Sequence, residues 1–464
     1  MPAFDRAEAL GRLATEPFDV VVVGGGITGA GVALDAASRG LRTALVERHD
    51  FASGTSSRSS KFVHGGLRYL HQRQFRLVAE SLAEQRRLLR NAPHLVRPLP
   101  VLLPVPAGQP LRKLASAALL AAHDAIGGGG RSRMTAAGVI FHEAQVDDAR
   151  LTLAVIRTAV LDHGAVAANY CPVVRVDHGV VHIEDGTRIR TRAVVNATGV
   201  WSDMVRPAKG VHVVVDRGRI PFATAVVLRL PGVNRWVFVA PWEGKVEIGT
   251  TDTDYDGPLD DPQATEDEVA GLLAAVNGFL PDPLRPEDVR SAWAGLRPLV
   301  QGDGRAATAD LSRRHRVVSS PGGAVVTVVG GKLTTYRRMA ADAVDAVLDV
   351  LGERHCPART ARLPLHDGGP LDKSAPSRLW HRYGADWTAV ESLVSADPAL
   401  AEPLVPGLTY TKAEAVYAVR HEMAVTVDDL LSRRTRASFL DRAAAEGAAP
   451  SVAALLARPA TGRR

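Results

Sequence analysis

The 464-residue sequence has little cysteine, few aromatic residues (5%) and no long apolar run. Its two cysteines, Cys171 and Cys356, lie far apart and form no CxxC motif, which argues against structural zinc and favours a reducing compartment. No apolar stretch approaches the roughly 18 residues that a membrane span needs. Residues 1–17 also lack the basic start and apolar run of a secretory signal. We therefore expect a cytoplasmic protein that does not cross a membrane.

Lysine is also scarce, although the chain has a formal net charge of +6. Only seven of the 56 cationic residues are lysines, and the arginines are scattered along the whole chain. We attribute this arginine bias to genome composition, not to a nucleic-acid surface, and we expect no nucleic-acid partner. Because lysine is so rare in this chain, each lysine is a candidate functional residue. The seven are Lys61, Lys113, Lys209, Lys245, Lys332, Lys373 and Lys412.

The start of the chain has the pattern of a dinucleotide-binding unit. Residues 18–23 predict a buried strand, residues 28–39 a helix and residues 43–46 the next strand. The intervening GGGITG satisfies GxGxxG, whose glycines permit a tight turn, approach to a pyrophosphate and close helix packing. The helix N-terminus attracts the phosphates, and an acid ending the second strand binds ribose hydroxyls. The predicted cofactor residues here are Gly24, Gly25, Gly26, Ile27, Thr28, Gly29 and Glu47.

Two later glycine turns favour FAD over NAD as the cofactor. Residues 195–199 read VNATG, an apolar strand that ends in a glycine turn. Residues 328–331 read VVGG and precede a predicted helix at 334–350. A helix beginning there can direct its positive end toward the electron-rich pyrimidine of a flavin. Each turn alone is common, but the two in this order predict FAD.

The composition, with 46% hydrophobic and 23% charged residues, is that of a globular protein of several domains. Alternating segments between residues 211 and 249 predict antiparallel strands of a second, mixed sheet. A capping box at Thr411 and Glu414 indicates a helical tail, whereas residues 99–130, rich in Pro, Ala and Gly, predict a poorly defined connection. The expected fold class is α/β, with a Rossmann-like FAD-binding domain, an inserted mixed-sheet substrate domain and a C-terminal helical domain. The predicted boundaries are 17–98, 140–208 and 290–350 for the FAD-binding domain, 99–139 and 209–289 for the substrate domain, and 360–464 for the helical domain.

Residues 52–70, ASGTSSRSSKFVHGGLRYL, give the sequence a family resemblance. The chain resembles the FAD-dependent glycerol-3-phosphate dehydrogenase family, a branch of the glycine/D-amino-acid oxidase type of flavoproteins. Further matches are QVDDARL (145–151), KGVH (209–212), IGTTD (248–252), GLRPL (295–299), GGKLTTY (330–336), AVRHE (418–422) and RRTR (433–436). The resemblance covers nearly the whole chain from about residue 17.

The resemblance implies oxidation of sn-glycerol 3-phosphate to dihydroxyacetone phosphate by hydride transfer to FAD. It also implies a membrane quinone as electron acceptor, and therefore peripheral contact with the inner face of the cell membrane. A homodimer is kept as an open expectation.

The resemblance also assigns roles to particular residues. His212, Arg297 and Lys332 would be catalytic, with His212 deprotonating the C2 hydroxyl and Arg297 as alternative or helper. The substrate phosphate would be held by Arg68, Tyr69, Arg297 and Lys332, since arginine offers a bidentate fork to a phosphate. Beyond the first glycine turn, the cofactor would contact Thr55, Ser56, Ser59, Ser60, Lys61, His64, Gly65, Thr198, Gly199, Gly330, Gly331, Lys332, Leu333 and Thr334.

Two other functions stay open from the sequence. One is an FAD-dependent oxidase of another small amine or hydroxy acid, and the other is an inactive flavin-binding scaffold. No metal is expected: residues 252–257 begin like a calcium loop, but Gln263 replaces the glutamate of position twelve and Pro258 and Pro262 interrupt it.

Overall fold

The computed structural model describes residues 4–457 except 68–69, 71–73, 107, 128–131, 178, 230–235, 302–313, 321 and 323. Its strands form two sheets. They are β1 (Phe18–Val23), β2 (Thr43–Val46), β3 (Phe62–Val63), β4 (Arg97–Pro104), β5 (Arg133–Thr135), β6 (Gly138–Gln145), β7 (Val166–Ala168), β8 (Val173–Asp177), β9 (Val180–Ile183), β10 (Arg188–Asn196), β11 (Val205–Asp216), β12 (Ala225–Arg229), β13 (Trp236–Trp242), β14 (Lys245–Gly249), β15 (Thr253–Asp254), β16 (Val289–Val300), β17 (Arg316–Ser319) and β18 (Val325–Val329).

Helices cover the first sheet and form the C-terminal region. They are α1 (Arg6–Thr15), α2 (Ile27–Ser38), α3 (Phe75–Asn91), α4 (Pro110–Ile126), α5 (Asp148–Leu161), α6 (Glu266–Asn277), α7 (Tyr336–Leu351), α8 (Ser377–Tyr383), α9 (Trp387–Ala396), α10 (Lys412–His421), α11 (Ala437–Leu440) and α12 (Arg442–Leu456).

The first sheet has the order β17-β18-β10-β1-β2-β7, and β8 and β9 form an antiparallel extension of β10. Its central strands are parallel: Val23 at the end of β1 pairs with Asn196 of β10 on one side and with Val46 of β2 on the other. Their carboxyl ends therefore share one edge, and the chain leaves β1 in the middle of the sheet. Such a switch point is where open α/β sheets bind ligands.

The second sheet has the order β15-β11-β14-β13-β12-β4-β6-β3, with β16 paired to β11 and β5 to β6. Apart from the parallel contact of β12 with β4, its pairings are antiparallel. The register places His212 of β11 opposite Gly249 of β14 on one side and Trp293 of β16 on the other. The long strand β11 thus places His212 in the interior of the protein.

Helices α8 to α12 share a hydrophobic core with residues of the second sheet, among them Trp242 and Trp293. A buried cluster of ion pairs joins this helical region to the loop after β2. There the carboxylate of Asp50 accepts hydrogen bonds from Arg434 at 2.7 and 2.9 Å and from Arg433 at 2.7 Å. The capping box of α10 is confirmed, since the backbone amide of Thr411 donates to Glu414 at 2.8 Å.

The structure confirms the α/β fold class, the strand–helix–strand start and the helical C-terminal region. The prediction for residues 99–130 is wrong, because their described part forms most of β4, which lies inside the second sheet, and the helix α4. Alanine favours helices, and a run of it explains α4. The domain boundaries stay a prediction; strand pairing places β6 and β16 in the second sheet.

Candidate active site

A cavity of about 770 Å³ lies between the carboxyl edge of the first sheet and one face of the second. It is within the usual size range of cofactor and ligand sites, about 300–1,000 Å³. Among its lining residues are most of those expected to hold a cofactor: Gly24, Gly26, Ile27, Thr28, Glu47, Thr55, Ser56, Ser59, Ser60, His64, Thr198, Gly199, Gly330, Gly331, Lys332 and Leu333. His212 and Arg297 line the same cavity.

The other predicted site residues form two groups. Arg68 and Tyr69 fall outside the described residues, so their proposed contact with a phosphate stays a prediction. The remaining cofactor candidates lie behind or beside the lining residues: Gly25, Gly29, Lys61, Gly65 and Thr334. Their direct contact with a cofactor also stays a prediction.

The first glycine turn has the geometry that a pyrophosphate needs. Gly24 has a φ of +112°, and a Cβ there would lie 2.6 Å from the carbonyl oxygen of Ala197. A Cβ on Gly29 would overlap the carbonyl oxygen of Gly24, so only glycine lets α2 begin this close to β1. Gly26 caps α2 without a side chain, which leaves the positive end of the helix facing the cavity.

Glu47 closes this end of the cavity. One carboxylate oxygen accepts from the backbone amide of Gly25 at 2.6 Å, and the other accepts from His49 at 2.9 Å. Burial raises the pKa of this carboxyl group, and the two backbone amides oppose that rise. A carboxylate fixed at the end of β2 is the acceptor that ribose hydroxyls use in this class of fold.

The loop of residues 55–60 carries hydroxyls along one side of the cavity. Ser56 accepts from the backbone amide of Ile27 at 2.9 Å, and Thr55 donates to the carbonyl of Leu296 at 2.6 Å. Ser59 donates to the buried carboxylate of Asp148 at 2.7 Å. The loop is thus tied both to the glycine turn and to the second sheet.

Lys61 occupies the interior behind this loop. Its side chain is fully buried, its ammonium donates to the carbonyl of Ser59 at 3.0 Å, and it lies 3.5 Å from Asp148. The same ammonium sits over the rings of Trp242 and Trp293, at 4.8 and 5.0 Å. Lys61 therefore supports the loop of residues 55–60 from the interior.

His212 faces the cavity from β11 and is held on several sides. Its Nε2 lies 2.8 Å from the hydroxyl of Ser60, and its ring stacks on Trp293 with centroids 5.3 Å apart. The absence of a side chain at Gly249 leaves room for the imidazole. Burial holds the pKa of His212 well below its usual range, and nearby Lys61 and Arg297 lower it further. The imidazole is neutral near pH 7 and can accept a proton.

Arg297 on β16 presents a partly buried guanidinium to the same cavity. One terminal nitrogen donates to Asp252 at 3.2 Å, and the other donates to the hydroxyl of Thr250 and the carbonyl of Thr251, both at 3.1 Å. A Cβ on Gly210 would lie 2.5 Å from this guanidinium. Bare backbone therefore makes room for the cation beside the cavity.

Lys332 reaches the cavity from the turn that precedes α7. Gly330 and Gly331 have φ values of +76° and +87°, and the Lys332 ammonium donates to the hydroxyl of Ser81 at 3.0 Å. Nearby Glu143 accepts from the amide of Gly65 at 2.7 Å. Burial raises the pKa of Glu143 to about 7, and Lys332 acts against that rise.

Sequence reasoning missed two acidic residues of this region, Glu143 and Glu247. Both are buried on strands of the second sheet, and Glu247 lies 3.6 Å from Nε2 of His212. A glutamate within an apolar strand, as in KVEIG, is a signal that sequence inspection can use, because a charge rarely enters a strand interior without a partner.

The residues present fit FAD. An open glycine turn at a helix N-terminus suits the pyrophosphate and Glu47 suits the ribose. The cations Arg297 and Lys332 line the same cavity as this nucleotide end, and Lys332 precedes a second helix start. Fold and site together define an FAD-dependent oxidoreductase.

Comparison with known proteins gives the same class and a narrower family. Residues 19–337 match the family described as FAD dependent oxidoreductase, and residues 325–461 match the C-terminal domain of alpha-glycerophosphate oxidase. The chain belongs to the FAD-dependent glycerol-3-phosphate dehydrogenase family, and its cofactor is FAD.

Two curated relatives and one solved structure carry this assignment. Glycerol-3-phosphate dehydrogenase 2 of Mycobacterium tuberculosis is 41% identical, covering 94% of this chain and 83% of its own. Glycerol-3-phosphate dehydrogenase 1 of the same organism is 41% identical over 91% of this chain and 92% of its own. The glycerol-3-phosphate dehydrogenase of Bacillus halodurans, solved with FAD, has a TM-score of 0.77 and 32% identity, covering 97% and 92% of the two chains.

Proposed function

We propose that this flavoprotein oxidises sn-glycerol 3-phosphate to dihydroxyacetone phosphate and passes the electrons to a quinone. When bound, FAD supplies the acceptor for the hydride that leaves C2 of the substrate. The observation that carries the proposal is the joint presence, on one cavity, of two cations and a neutral imidazole: Arg297, Lys332 and His212. An anionic substrate that must lose a hydroxyl proton needs these groups.

The cations would bind the phosphate ester. The guanidinium of Arg297 is fixed by Asp252 and by neighbouring backbone and hydroxyl oxygens, so little order is lost when it binds an anion. The Lys332 ammonium is a compact second charge, and the predicted contribution of Arg68 and Tyr69 would add to it. Holding the phosphate fixes C2 relative to the flavin, and such positioning supplies much of a catalytic rate.

His212 would accept the proton of the C2 hydroxyl. Its imidazole is neutral near pH 7 because burial and two neighbouring cations disfavour the charged form. Loss of that proton lets the oxygen form a carbonyl as the hydride leaves C2. Arg297 remains the alternative base or a helper.

The runner-up function is oxidation of another small amine or hydroxy acid. Such a substrate has no phosphate to neutralise two cations on the cavity, so we place it second. An inactive flavin-binding scaffold has no need of His212, Arg297 and Lys332 on one cavity.

The absorbance of the bound flavin tests the proposed function. We expect the purified protein to be yellow and to bleach without oxygen when glycerol 3-phosphate is added, but not with glycerol or lactate. Bleaching by lactate or an amine would favour the runner-up, and a yellow protein that no substrate bleaches would favour the scaffold. A protein that fails to bind FAD even on reconstitution would overturn the proposal.

Transfer to a quinone requires contact with a membrane surface. Within the described ranges, no helix has both the length and the apolar character needed to cross a bilayer. Helix α4 offers a different kind of contact, because most of its exposed positions are apolar: Leu111, Leu114, Ala115, Ala118, Ala121, Ala122 and Ala125. These positions follow a helical repeat and share one face.

Charge and location support α4 as the membrane-facing element. Leu111 and Leu114 are 81% and 60% exposed, and the cations Arg112 and Lys113 lie at the same end of the helix. An apolar face with cations beside it suits an anionic lipid surface. The opposite face of α4 packs on the second sheet, where Leu120 contributes to a hydrophobic cluster with Phe141, and His123 approaches Gly65.

Vesicle binding tests the membrane contact. We expect the FAD-loaded protein to sediment with vesicles of phosphatidylglycerol and phosphatidylcholine more than with phosphatidylcholine alone. The double substitution Leu111→Glu and Leu114→Glu should abolish sedimentation and leave turnover with a soluble dye unchanged. Leu371→Glu, at a leucine as exposed as Leu114, is the control. Equal binding by all three proteins would contradict this part of the proposal. The homodimer and the absence of a nucleic-acid partner stay predictions.

A further inference from the structure

Glu247 lies against the histidine that the proposed function uses as its base. The register pairs Gly249 of β14 with His212 and Glu247 with Val214, so the two side chains occupy alternate positions on neighbouring strands and project to the same face. One carboxylate oxygen of Glu247 is 3.6 Å from Nε2 of His212, and each side chain is only 3% exposed. Both carboxylate oxygens of Glu247 lack a hydrogen-bond partner among the described residues.

An unpartnered buried carboxyl group is costly unless something compensates for it. The other charges near it already pair with one another: Lys61 with Asp148 at 3.5 Å, and Arg436 with Asp148 at 3.2 Å and with Asp147 at 3.4 Å. Glu247 is therefore the carboxyl group of this cluster that has no cation of its own. Its nearest group able to become a cation is the imidazole of His212.

We propose that Glu247 is a positioning residue for His212 that stabilises the imidazolium formed when His212 takes the C2 hydroxyl proton. The inference rests on the proposed function. In the step, the O–H bond breaks and its proton moves to the imidazole, while the C2–H bond breaks with its electron pair and leaves as hydride to FAD. The substrate gains a C=O bond, and the protonated ring gains a carboxylate neighbour.

The two ring nitrogens of His212 differ in their contacts. Nε2 faces the Ser60 hydroxyl and Glu247, while Nδ1 has no partner among the described residues. A proton on Nε2 would be directed to these oxygens, so Nε2 is the ring nitrogen whose protonated form they stabilise. This is the way an acid orients a catalytic histidine in hydrolases.

The charge of Glu247 can change near neutral pH and so alter the basicity of His212. Burial raises the pKa of Glu247 to about 7; Lys61 and Arg436 act against the rise and Asp148 adds to it. Lys61 and Arg297 stand near His212 and disfavour its protonated form. A carboxylate at Glu247 offsets those two cations, so the base is strongest once Glu247 has ionised.

The test compares the wild-type holoenzyme with Glu247→Gln and Glu247→Asp. In wild type, kcat should rise with pH through about 7 as Glu247 ionises. Glu247→Gln should lower kcat by about tenfold to a hundredfold, toward the loss expected from removing a general base, and should lack that rise. Glu247→Asp should keep a rise and recover part of the rate. A Glu247→Gln profile that still rises through the same range would overturn the inference.

Glu143→Gln is the matched control. Burial raises the pKa of Glu143 to about 7, as it does for Glu247, but Glu143 lies beside Gly65 and Lys332 and not beside His212. That variant should keep the rise of kcat near pH 7. If Glu143→Gln removes the rise and Glu247→Gln does not, the titrating group is the other glutamate and the inference fails.

A stability measurement gives a readout independent of turnover. A carboxyl group whose pKa is raised in the fold stabilises it while protonated, and that contribution is lost as pH rises through the folded pKa. Between about pH 5 and 8, the Tm of wild type should therefore fall relative to Glu247→Gln. A Tm difference that does not change with pH would contradict the inference whatever the substrate. Wild type that fails to oxidise glycerol 3-phosphate would overturn the proposed function and, with it, this role.

Discussion

The cavity wall built by the first sheet and the wall built by the second sheet differ in how far apart their residues lie in the chain. The first wall begins with the glycine turn after β1 and the acid that ends β2, all within residues 24–47. The second wall combines His212 from β11 with Arg297 from β16, which lie together because these strands pair. The site for the pyrophosphate and ribose of the cofactor is thus a local property of the chain, whereas substrate chemistry depends on strand register.

The largest expected effect breaks the first wall. A Cβ at Gly29 would overlap the carbonyl oxygen of Gly24, so Gly29→Ala should displace the start of α2 and prevent retention of FAD. Flavin absorbance of the purified variant measures this directly. Gly11→Ala is the control: Gly11 lies inside α1 with open space around it, and alanine there should stabilise slightly. A yellow Gly29→Ala protein would show that the close contact is not needed.

The next effect concerns the support that both walls receive from the C-terminal helices. Asp50 is the shared acceptor of the buried Arg433 and Arg434, and Asp50→Ala would leave two guanidinium groups without it. We expect a loss of about 3–5 kcal/mol in the free energy of unfolding, typical of a broken buried ion pair. Urea or thermal unfolding measures it.

The exposed pair of Arg219 with Asp282 provides the control, since surface pairs contribute little. Asp282→Ala should therefore leave the unfolding transition close to that of wild type. Equal losses for the two aspartate variants would show that the buried cluster does not hold the helical region in place.

The smallest of the three effects separates the second wall from the first. Arg297→Ala should leave FAD bound but remove a charged hydrogen-bond donor to the phosphate, a loss of roughly 1.5–3 kcal/mol. The kcat/KM for glycerol 3-phosphate should fall by about tenfold to a hundredfold or more. Arg338→Ala, at a half-exposed arginine paired with Asp342, should change neither quantity. Unchanged saturation kinetics for Arg297→Ala would remove its role as a phosphate anchor.

The same contrast explains what the sequence could predict. The turn at residues 24–29 was predictable because its strand, glycines and helix are contiguous and each has a local physical requirement. The contact of His212 with Glu247 was not, because 35 residues separate them and only the register of β11 with β14 brings them together. A shift of one residue in that pairing would turn the two side chains to opposite faces.

Lys61 and α4 show two other limits of local reasoning. Lys61 lies within a motif whose neighbouring residues line the cavity, yet its position among the rings of Trp242, Trp293 and Phe439 depends on three distant segments. The prolines and glycines near α4 predict an irregular connection, although the alanines of the segment favour a helix. The composition of residues 99–130 as a whole predicts neither element, because the segment combines a strand, β4, with a helix, α4.

The proposed function depends most on selection of a phosphate ester by the second wall for oxidation by FAD. Rapid mixing of the oxidised holoenzyme with glycerol 3-phosphate, without oxygen, measures the rate of flavin bleaching and the dihydroxyacetone phosphate formed. We predict fast, saturable bleaching with equimolar product, and bleaching by glycerol at the same concentration slower by orders of magnitude. Equal rates with glycerol and glycerol 3-phosphate, or bleaching without dihydroxyacetone phosphate, would contradict the account.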